Sequence, residues 1–215
     1  MCTRYLIELS PELRPIIEEA KRSHLAKHMT DKLGQALVTE GEVRPSNMVP
    51  VIAPDKKGYQ KVFPMVWGYH FPGIDRPVVN ARVETAGQKP AFKDSWLRRR
   101  CIVPSSYYFE WEHVQKGKRI VPGDRYAIQT PGRQVTWLAG LYRIEALDTG
   151  FRYPVFTILT RNPSPELRKI HDRMPVVLPD EEIASWIQPG ADPKEISDIA
   201  SRSITDMVAE ITARM

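Results

Sequence analysis

Glu42-Val43-Arg44-Pro45-Ser46-Asn47-Met48-Val49-Pro50-Val51-Ile52-Ala53-Pro54, followed by Val62-Phe63-Pro64-Met65-Val66-Trp67 and then by Pro72 and Pro77, is the stretch that decides the fold. A proline inside a helix removes a backbone hydrogen bond and clashes with the preceding turn. Its recurrence through residues 42–79 leaves no room for a long helix. The apolar runs between the prolines therefore read as short strands joined by tight turns. Working outward, Cys2-Thr3-Arg4-Tyr5-Leu6-Ile7-Glu8-Leu9 mixes β-branched and aromatic residues and reads as a strand. Ser10-Pro11 marks a turn or helix start. Leu13, Ile16, Ile17, Ala20, His24, Leu25 and Met29 then keep helical spacing to a stop at Gly34, with Pro15 acceptable only near the helix start. On the other side, 89–99 reads as a short helix carrying Phe92, Trp96 and Leu97 inward. Cys101-Ile102-Val103-Pro104 is a short buried strand. Residues 107–111, 125–129, 136–142 and 153–160 are further strands. Ser164-Pro165-Glu166-Leu167 and Pro179-Asp180-Glu181-Glu182 each begin a helix, and 193–215 is helical by composition. Strands scattered along the chain without regular βα alternation give an α+β class. The expectation is one domain over residues 1–215, with an antiparallel, barrel-like β core and peripheral helices.

The 215 residues are 42% hydrophobic and 27% charged, the balance of a globular protein. No apolar run approaches the roughly 20 residues that span a bilayer. The N-terminus lacks the basic stretch and apolar core of a secretory signal. Two cysteines, Cys2 and Cys101, make no disulfide framework and no thiolate zinc site, and they suit a reducing, cytoplasmic setting. Cys101 reads as a small core residue. A formal net charge of +5 favours an anionic partner. Arg98-Arg99-Arg100, with Arg4, Arg82, Arg161, Arg168 and Arg173, sits around the segments of chemical interest. His24 and His28, four apart, read as a polar helix edge; no metal and no cofactor is expected.

Cys2 has a property no internal cysteine shares. Once Met1 is removed, it carries a free α-amine and a thiol on adjacent carbons. Such a 1,2-aminothiol condenses with an aldehyde and closes a five-membered thiazolidine ring. A small residue at position 2 is also what permits trimming of Met1. His171 lies in Ile170-His171-Asp172-Arg173-Met174-Pro175, where the proline ends any helix and leaves the histidine able to face a cleft. Glu110, between Phe109 and Trp111 on an apolar strand, is costly unless paired or functional. Burial would raise its pKa towards neutrality; an ordinary buried pair with arginine is the structural alternative. Asn80 ends the run Pro77-Val78-Val79, and its amide both donates and accepts. Read as one strand, Asn80, Arg82 and Glu84 share a face. There is no serine-hydrolase elbow, no papain-type cysteine signature and no glycine-rich phosphate loop.

These segments together resemble the SOS-response-associated peptidase (SRAP) family of abasic-site-processing proteins. The resemblance is carried by Met1 to Tyr5, Arg44-Pro45-Ser46, Val49 to Ile52, Trp67-Gly68, Asn80 to Thr85, Arg100 to Pro104, Phe109-Glu110-Trp111, Leu138-Ala139-Gly140 and His171 to Pro175. It runs from residue 2 to about 188 and covers 189–215 poorly. The resemblance implies an SRAP-like fold and a monomer that binds single-stranded DNA containing abasic sites, with no membrane partner, nucleoid-associated when on DNA. It implies that Cys2, freed by removal of Met1 through a self-processing peptidase step, captures the abasic aldehyde covalently. By the same resemblance Asn80 positions the amine or sugar and Glu110 shuttles protons. His171 assists ring opening of the sugar. Arg4, Arg82 and Arg173 grip phosphates, Thr160 makes a weaker phosphate contact, and Pro45 wedges against bases. The chain departs from the family pattern at Thr3, where glycine is common, and at Ser105-Ser106-Tyr107-Tyr108, which lacks the usual glycine. It departs again after Trp67-Gly68, where only Phe71 is offered for stacking on a base. Two other readings stay open: a cysteine peptidase acting on other proteins through the Cys2 thiol, and a non-covalent nucleic-acid-binding module.

Overall fold

The structure, a computed structural model, describes residues 2–214. Its strands are β1 (Arg4–Ile7), β2 (Gly41–Val43), β3 (Met48–Pro54), β4 (Gln60–Trp67), β5 (Asn80–Arg82), β6 (Arg100–Ser105), β7 (Tyr107–Lys116), β8 (Arg119–Gln129), β9 (Thr136–Ala146), β10 (Arg152–Arg161), β11 (Met174–Pro175) and β12 (Val208–Ala213). Its helices are α1 (Arg14–Lys21), α2 (His24–Leu33), α3 (Val83–Ala86), α4 (Pro90–Arg98), α5 (Ile183–Ile187) and α6 (Pro193–Ser201), with single 3-10 turns at Leu167–Lys169 and Asp180–Glu182. This is the α+β class expected.

The proline-rich stretch forms the hairpin β3–β4, and the register shows how a sheet tolerates it. Pro50 lies directly opposite Pro64. Two residues that lack an N–H can face each other in an antiparallel ladder only at a non-hydrogen-bonded pair, where neither is asked to donate across it. The turn before β3 also needs its proline. Asn47 N–H donates to the Arg44 carbonyl at 3.0 Å, and Ser46 has φ 70°. That is a type II turn with Pro45 in the position that fixes φ near −65°.

Strands β4, β3, β6, β9 and β10 pair in that order, and β10 returns to β4. The result is a closed five-stranded barrel. Every contact around it is antiparallel except β10 against β4, which is parallel. β5 (parallel) and β11 (antiparallel) extend β10 past the barrel. A second, antiparallel sheet runs β12-β8-β7-β1-β2. Tyr5, Ile7, Val43, Trp67, Tyr108 and Phe156 form one core shared by sheet and barrel, and Cys2 is part of it. A second core, with Met29, Tyr69, Phe92, Trp96 and Trp186, lies under the helices.

Three local expectations are corrected. The helical pattern of 13–34 breaks at Arg22-Ser23, because Ser23 takes an extended conformation and caps α2 by accepting from Ala26 N–H. Residues 193–215 are helical only through Ser201; Val208–Ala213 then adds a strand to the edge of β8, where Val208, Ile211 and Thr212 suit a pleated backbone. The strand carrying Asn80 and Arg82 ends there, and Glu84 sits on α3. The glycine absent near 105–108 is replaced by side-chain bonding. Ser106 N–H donates to the Leu6 carbonyl at 2.8 Å, and Ser106 Oγ accepts from Glu8 N–H at 2.8 Å.

Gly68, which leads from β4 towards the Asn80 strand, has φ 122°, and a Cβ there would lie 2.5 Å from Pro77 Cβ. A Gly68→Ala protein combines backbone strain with overpacking, so it is expected to lose about 2–5 kcal/mol of stability. Urea denaturation reads this as a lowered midpoint at unchanged slope; a midpoint equal to wild type would refute the strain assignment.

Candidate active site around Cys2

Cys2 lies two residues before β1 and is 1% exposed, between the second sheet and the barrel. β1 pairs with β7 so that Arg4 faces Phe109 and Tyr5 faces Tyr108, which brings Glu110 beside the start of the chain. From the barrel side, β5 delivers Asn80, whose Nδ2 donates to the Cys2 carbonyl at 2.8 Å. Its Oδ1 is buried and accepts no hydrogen bond among the described residues. The Cys2 thiol donates weakly to the Arg4 carbonyl, Sγ to O 3.6 Å. Burial first, and the Glu110 charge second, push that thiol well above the usual cysteine range.

Glu110 is 3% exposed. Burial raises its carboxyl to about 7, with the Asp172 charge acting in the same direction. Its Oε2 lies 3.8 Å from His171 Nε2, an ion-pair separation longer than a hydrogen bond. His171 is itself buried, and burial, together with the neighbouring His113, lowers its pKa to about 4. At neutral pH the pair is thus a neutral imidazole and a carboxyl near half-protonation. Such a carboxyl is poised to give or take a proton.

His113 is a residue sequence reading missed. Along a regular strand, Glu110 and His113 point to opposite faces. A β-bulge between Trp111 and His113 shifts the register against β8 and reverses that alternation. Both side chains then line one cavity of about 280 Å³ with Trp111, Ile120, Val121, Pro122 and His171. The His113 and His171 rings are 3.9 Å apart, and His113 N–H donates to the Ile170 carbonyl at 2.9 Å.

The remaining expected residues fall into two groups. Arg4 lies at the surface, its Nε 3.3 Å from Glu42 Oε1, and the same carboxylate takes Arg44 at 3.1 Å and Arg125 at 2.6 Å. Burial alone would raise the Glu42 carboxyl, but these three guanidiniums hold it below its ordinary range. Arg125 also lies over the Phe109 ring at 3.6 Å. Pro45 is half-buried on the turn before β3, and Arg82 is exposed on β5. Thr160 and Arg173 are placed differently, both of them buried. Thr160 Oγ1 donates to the Ala81 carbonyl at 3.4 Å. The Arg173 guanidinium binds both oxygens of Glu84 at 2.9 and 2.8 Å, the Thr160 carbonyl at 2.6 Å and Asn162 Oδ1 at 2.7 Å. Arg173 thereby locks the His171 segment to β10 and α3. Phe71 packs under Arg143, 4.4 Å from its ring centre.

The model of the SOS response associated peptidase (SRAP) family matches residues 1–213. The chain belongs to this family. The match takes in the C-terminal tail, which the sequence motifs alone left uncovered. Among SRAP relatives, Abasic site processing protein YoqW of Bacillus subtilis is 34% identical over 118 residues, 54% of this chain and 50% of that one. Abasic site processing protein YedK of Escherichia coli is 32% identical over 139 residues, 64% of this chain and 60% of that one. The chain spans about half the length of the Bacillus relatives it matches. Among solved structures, a protein from Bacteroides thetaiotaomicron superposes with a TM-score of 0.74 at 22% identity, over 98% of this chain and 91% of that one. A phage-related protein from Bordetella bronchiseptica gives 0.71 at 20% identity, over 99% and 95%. These likenesses establish a shared fold. Among the described residues no helix is long and apolar enough to cross a membrane.

Proposed function

We propose that this SRAP protein captures abasic sites in single-stranded DNA by forming a thiazolidine with Cys2 after loss of Met1. Met1 lies outside the described residues, so its removal is part of the proposal. The observation that carries the reading is the convergence of Asn80 and Glu110 on Cys2 from two different sheets. The relatives named as abasic site processing proteins support it.

The chemistry follows from the groups present. The open-chain abasic sugar has an aldehyde at C1′. The Cys2 amine, with a reference pKa of about 7.7–8.0, is partly neutral at pH 7 and adds to that carbon. Protonated Glu110 gives its proton to the carbinolamine oxygen, water leaves, and a Schiff base forms. Glu110, now ionised, takes the thiol proton, and Sγ bonds to the same carbon. Net, amine, thiol and aldehyde give thiazolidine and one water. A carboxyl near 7 can serve both directions, and the raised thiol pKa keeps sulfur protonated until the Schiff base is in place. Asn80 Oδ1 is an acceptor for the amine protons. Neutral His171 can remove the proton whose loss opens the sugar ring. Arg4, Arg44 and Arg125 place three guanidiniums around one carboxylate on the face beside Cys2, and Arg82 adds another charge, which suits a phosphate backbone. Arg173 and Thr160 act from beneath by holding the His171 segment.

The test is intact-mass analysis and denaturing electrophoresis of the protein with a single-stranded oligonucleotide bearing one abasic site. Wild type lacking Met1 gives a heat-stable adduct of protein plus DNA minus water, and Cys2→Ala gives none. An adduct of unchanged yield in Cys2→Ala, or no adduct from wild type shown to lack Met1, overturns the reading.

A further inference from the structure

We propose that His113, His171 and Asp172 form a binding site for a divalent transition-metal ion of the zinc class, at the mouth of the Cys2 cleft. One ligating atom from each side chain lies within 4.8 Å of the other two. Bonds of about 2.0–2.2 Å from zinc to imidazole nitrogen and carboxylate oxygen put ligand pairs roughly 3–4 Å apart, so a small side-chain rotation closes the set. His113 and Asp172 are exposed and can make it, while His171 is held in the wall of the cleft.

The surroundings of His171 Nδ1 give an independent reason. Asp172 Oδ1 lies 2.8 Å from Nδ1, yet the Arg173 N–H donates to the same Nδ1 at 3.1 Å. When Nδ1 accepts from that amide it presents a lone pair to the carboxylate oxygen; in the other tautomer Nδ1 carries the proton and donates to Asp172 Oδ1. At 2.8 Å, either that proton or a cation in its place brings the nitrogen and the oxygen into accord. The ion takes the Nδ1 lone pair in place of the Arg173 amide proton, with Asp172 Oδ1 and a His113 nitrogen beside it. His171 Nε2 then keeps its hydrogen and faces Glu110, the arrangement in which a carboxylate orients a metal-bound histidine through its other nitrogen. Three protein ligands leave a fourth position open to water or to an oxygen of DNA. Borderline nitrogen and oxygen donors favour zinc, cobalt or nickel over magnesium or calcium.

Occupancy has a consequence that rests on the function proposed above. The ion commits the Nδ1 lone pair of His171, so metal-loaded protein forms adduct more slowly.

Binding is measured by calorimetry and dialysis with Zn²⁺ alone, on the full chain, with circular dichroism confirming the fold of each variant. His113→Phe keeps a ring against His171 without a ligating nitrogen, and Asp172→Asn alters an exposed side chain. The expected result is one ion per chain, weakened by more than about 10-fold in each variant, since loss of an outer partner alone costs about 10–100-fold, and unchanged in Cys2→Ser. No saturable binding, wild-type affinity in both variants, or loss in Cys2→Ser in their place would overturn the site. The adduct assay with and without Zn²⁺ then separates the two proposals. Slowing in wild type that His113→Phe escapes supports the regulatory consequence, and a rate indifferent to saturating zinc overturns it. Absence of any adduct in zinc-free wild type counts against the function and leaves the binding result standing.

Discussion

Replacing Glu110 with Gln is expected to slow adduct formation on abasic single-stranded DNA by about 10²–10⁴-fold, the range general acid–base catalysis contributes. Gln has nearly the same shape, so the cleft and the Cys2 contacts survive while the transferable proton is lost. The pH profile gives the sharper reading. In wild type the rate falls below about pH 8 as the amine protonates, and above about 7 as Glu110 loses the proton it must donate. The product is a maximum between these values. Glu110→Gln removes the upper limb, and its residual rate climbs until the amine is fully neutral. A profile in Glu110→Gln that still turns over near 7 would assign that limb to another group.

The same substitution exposes a hidden balance in stability. Glu110 has a folded pKa of about 7 against an ordinary 4.5, so between these values the folded state binds more protons than the unfolded one. Stability therefore falls as pH rises through that window, by roughly 3 kcal/mol in total. His171 is lowered to about 4 from 6.5. There the unfolded state binds more protons, and stability rises with pH by a similar amount. The windows overlap, and in wild type the slopes nearly cancel. In Glu110→Gln the His171 slope is no longer opposed. Urea denaturation should show stability increasing from pH 4 to 6.5 in the variant and little change in wild type.

The sequence made the barrel legible because its prolines exclude helix and its apolar runs are short. It pointed to Cys2 because only residue 2 can carry a free α-amine beside its thiol once Met1 is gone, to Asn80 and Glu110 because each is polar at the end of, or inside, an apolar run, and to His171 because a proline ends its segment. What stayed hidden depends on register and on partners far along the chain. His113 enters the cleft only because of the bulge after Trp111, and an extra residue in a ladder leaves no mark in local composition. The break at Ser23 lay inside a helical periodicity that continues across it. The strand Val208–Ala213 exists because β8 offers an edge, and a tail too short to declare its own period takes the structure of its neighbour. The family resemblance gave Arg173 a phosphate contact. Its four oxygen contacts come from Glu84, Asn162 and Thr160, which no spacing rule connects.

Arg100 shows the same limit with the largest expected cost in stability. Beside Arg98 and Arg99 it reads as part of a basic patch, but it is 2% exposed at the start of β6. Its guanidinium donates to the carbonyls of Trp96 and Leu97 at 2.8 Å each, and to those of Trp186 and Gln188 at 2.6 Å each. Those carbonyls belong to the C-terminal ends of α4 and α5, the negative ends of two helices. One cation thus closes both helices onto the barrel, with no carboxylate in an ion pair with it among the described residues. Burial lowers its pKa to about 10, which leaves it charged at neutral pH. Arg100→Met preserves the buried stem and strands four carbonyls, so a loss of about 3–5 kcal/mol is expected. Arg100→Lys retains charge but lacks the planar fork that reaches two helix ends, and it should recover only part of that loss. Thermal and urea unfolding of the two variants check the order. If Met and Lys are equally mild, the two helix ends are satisfied by solvent and the guanidinium is not what joins them.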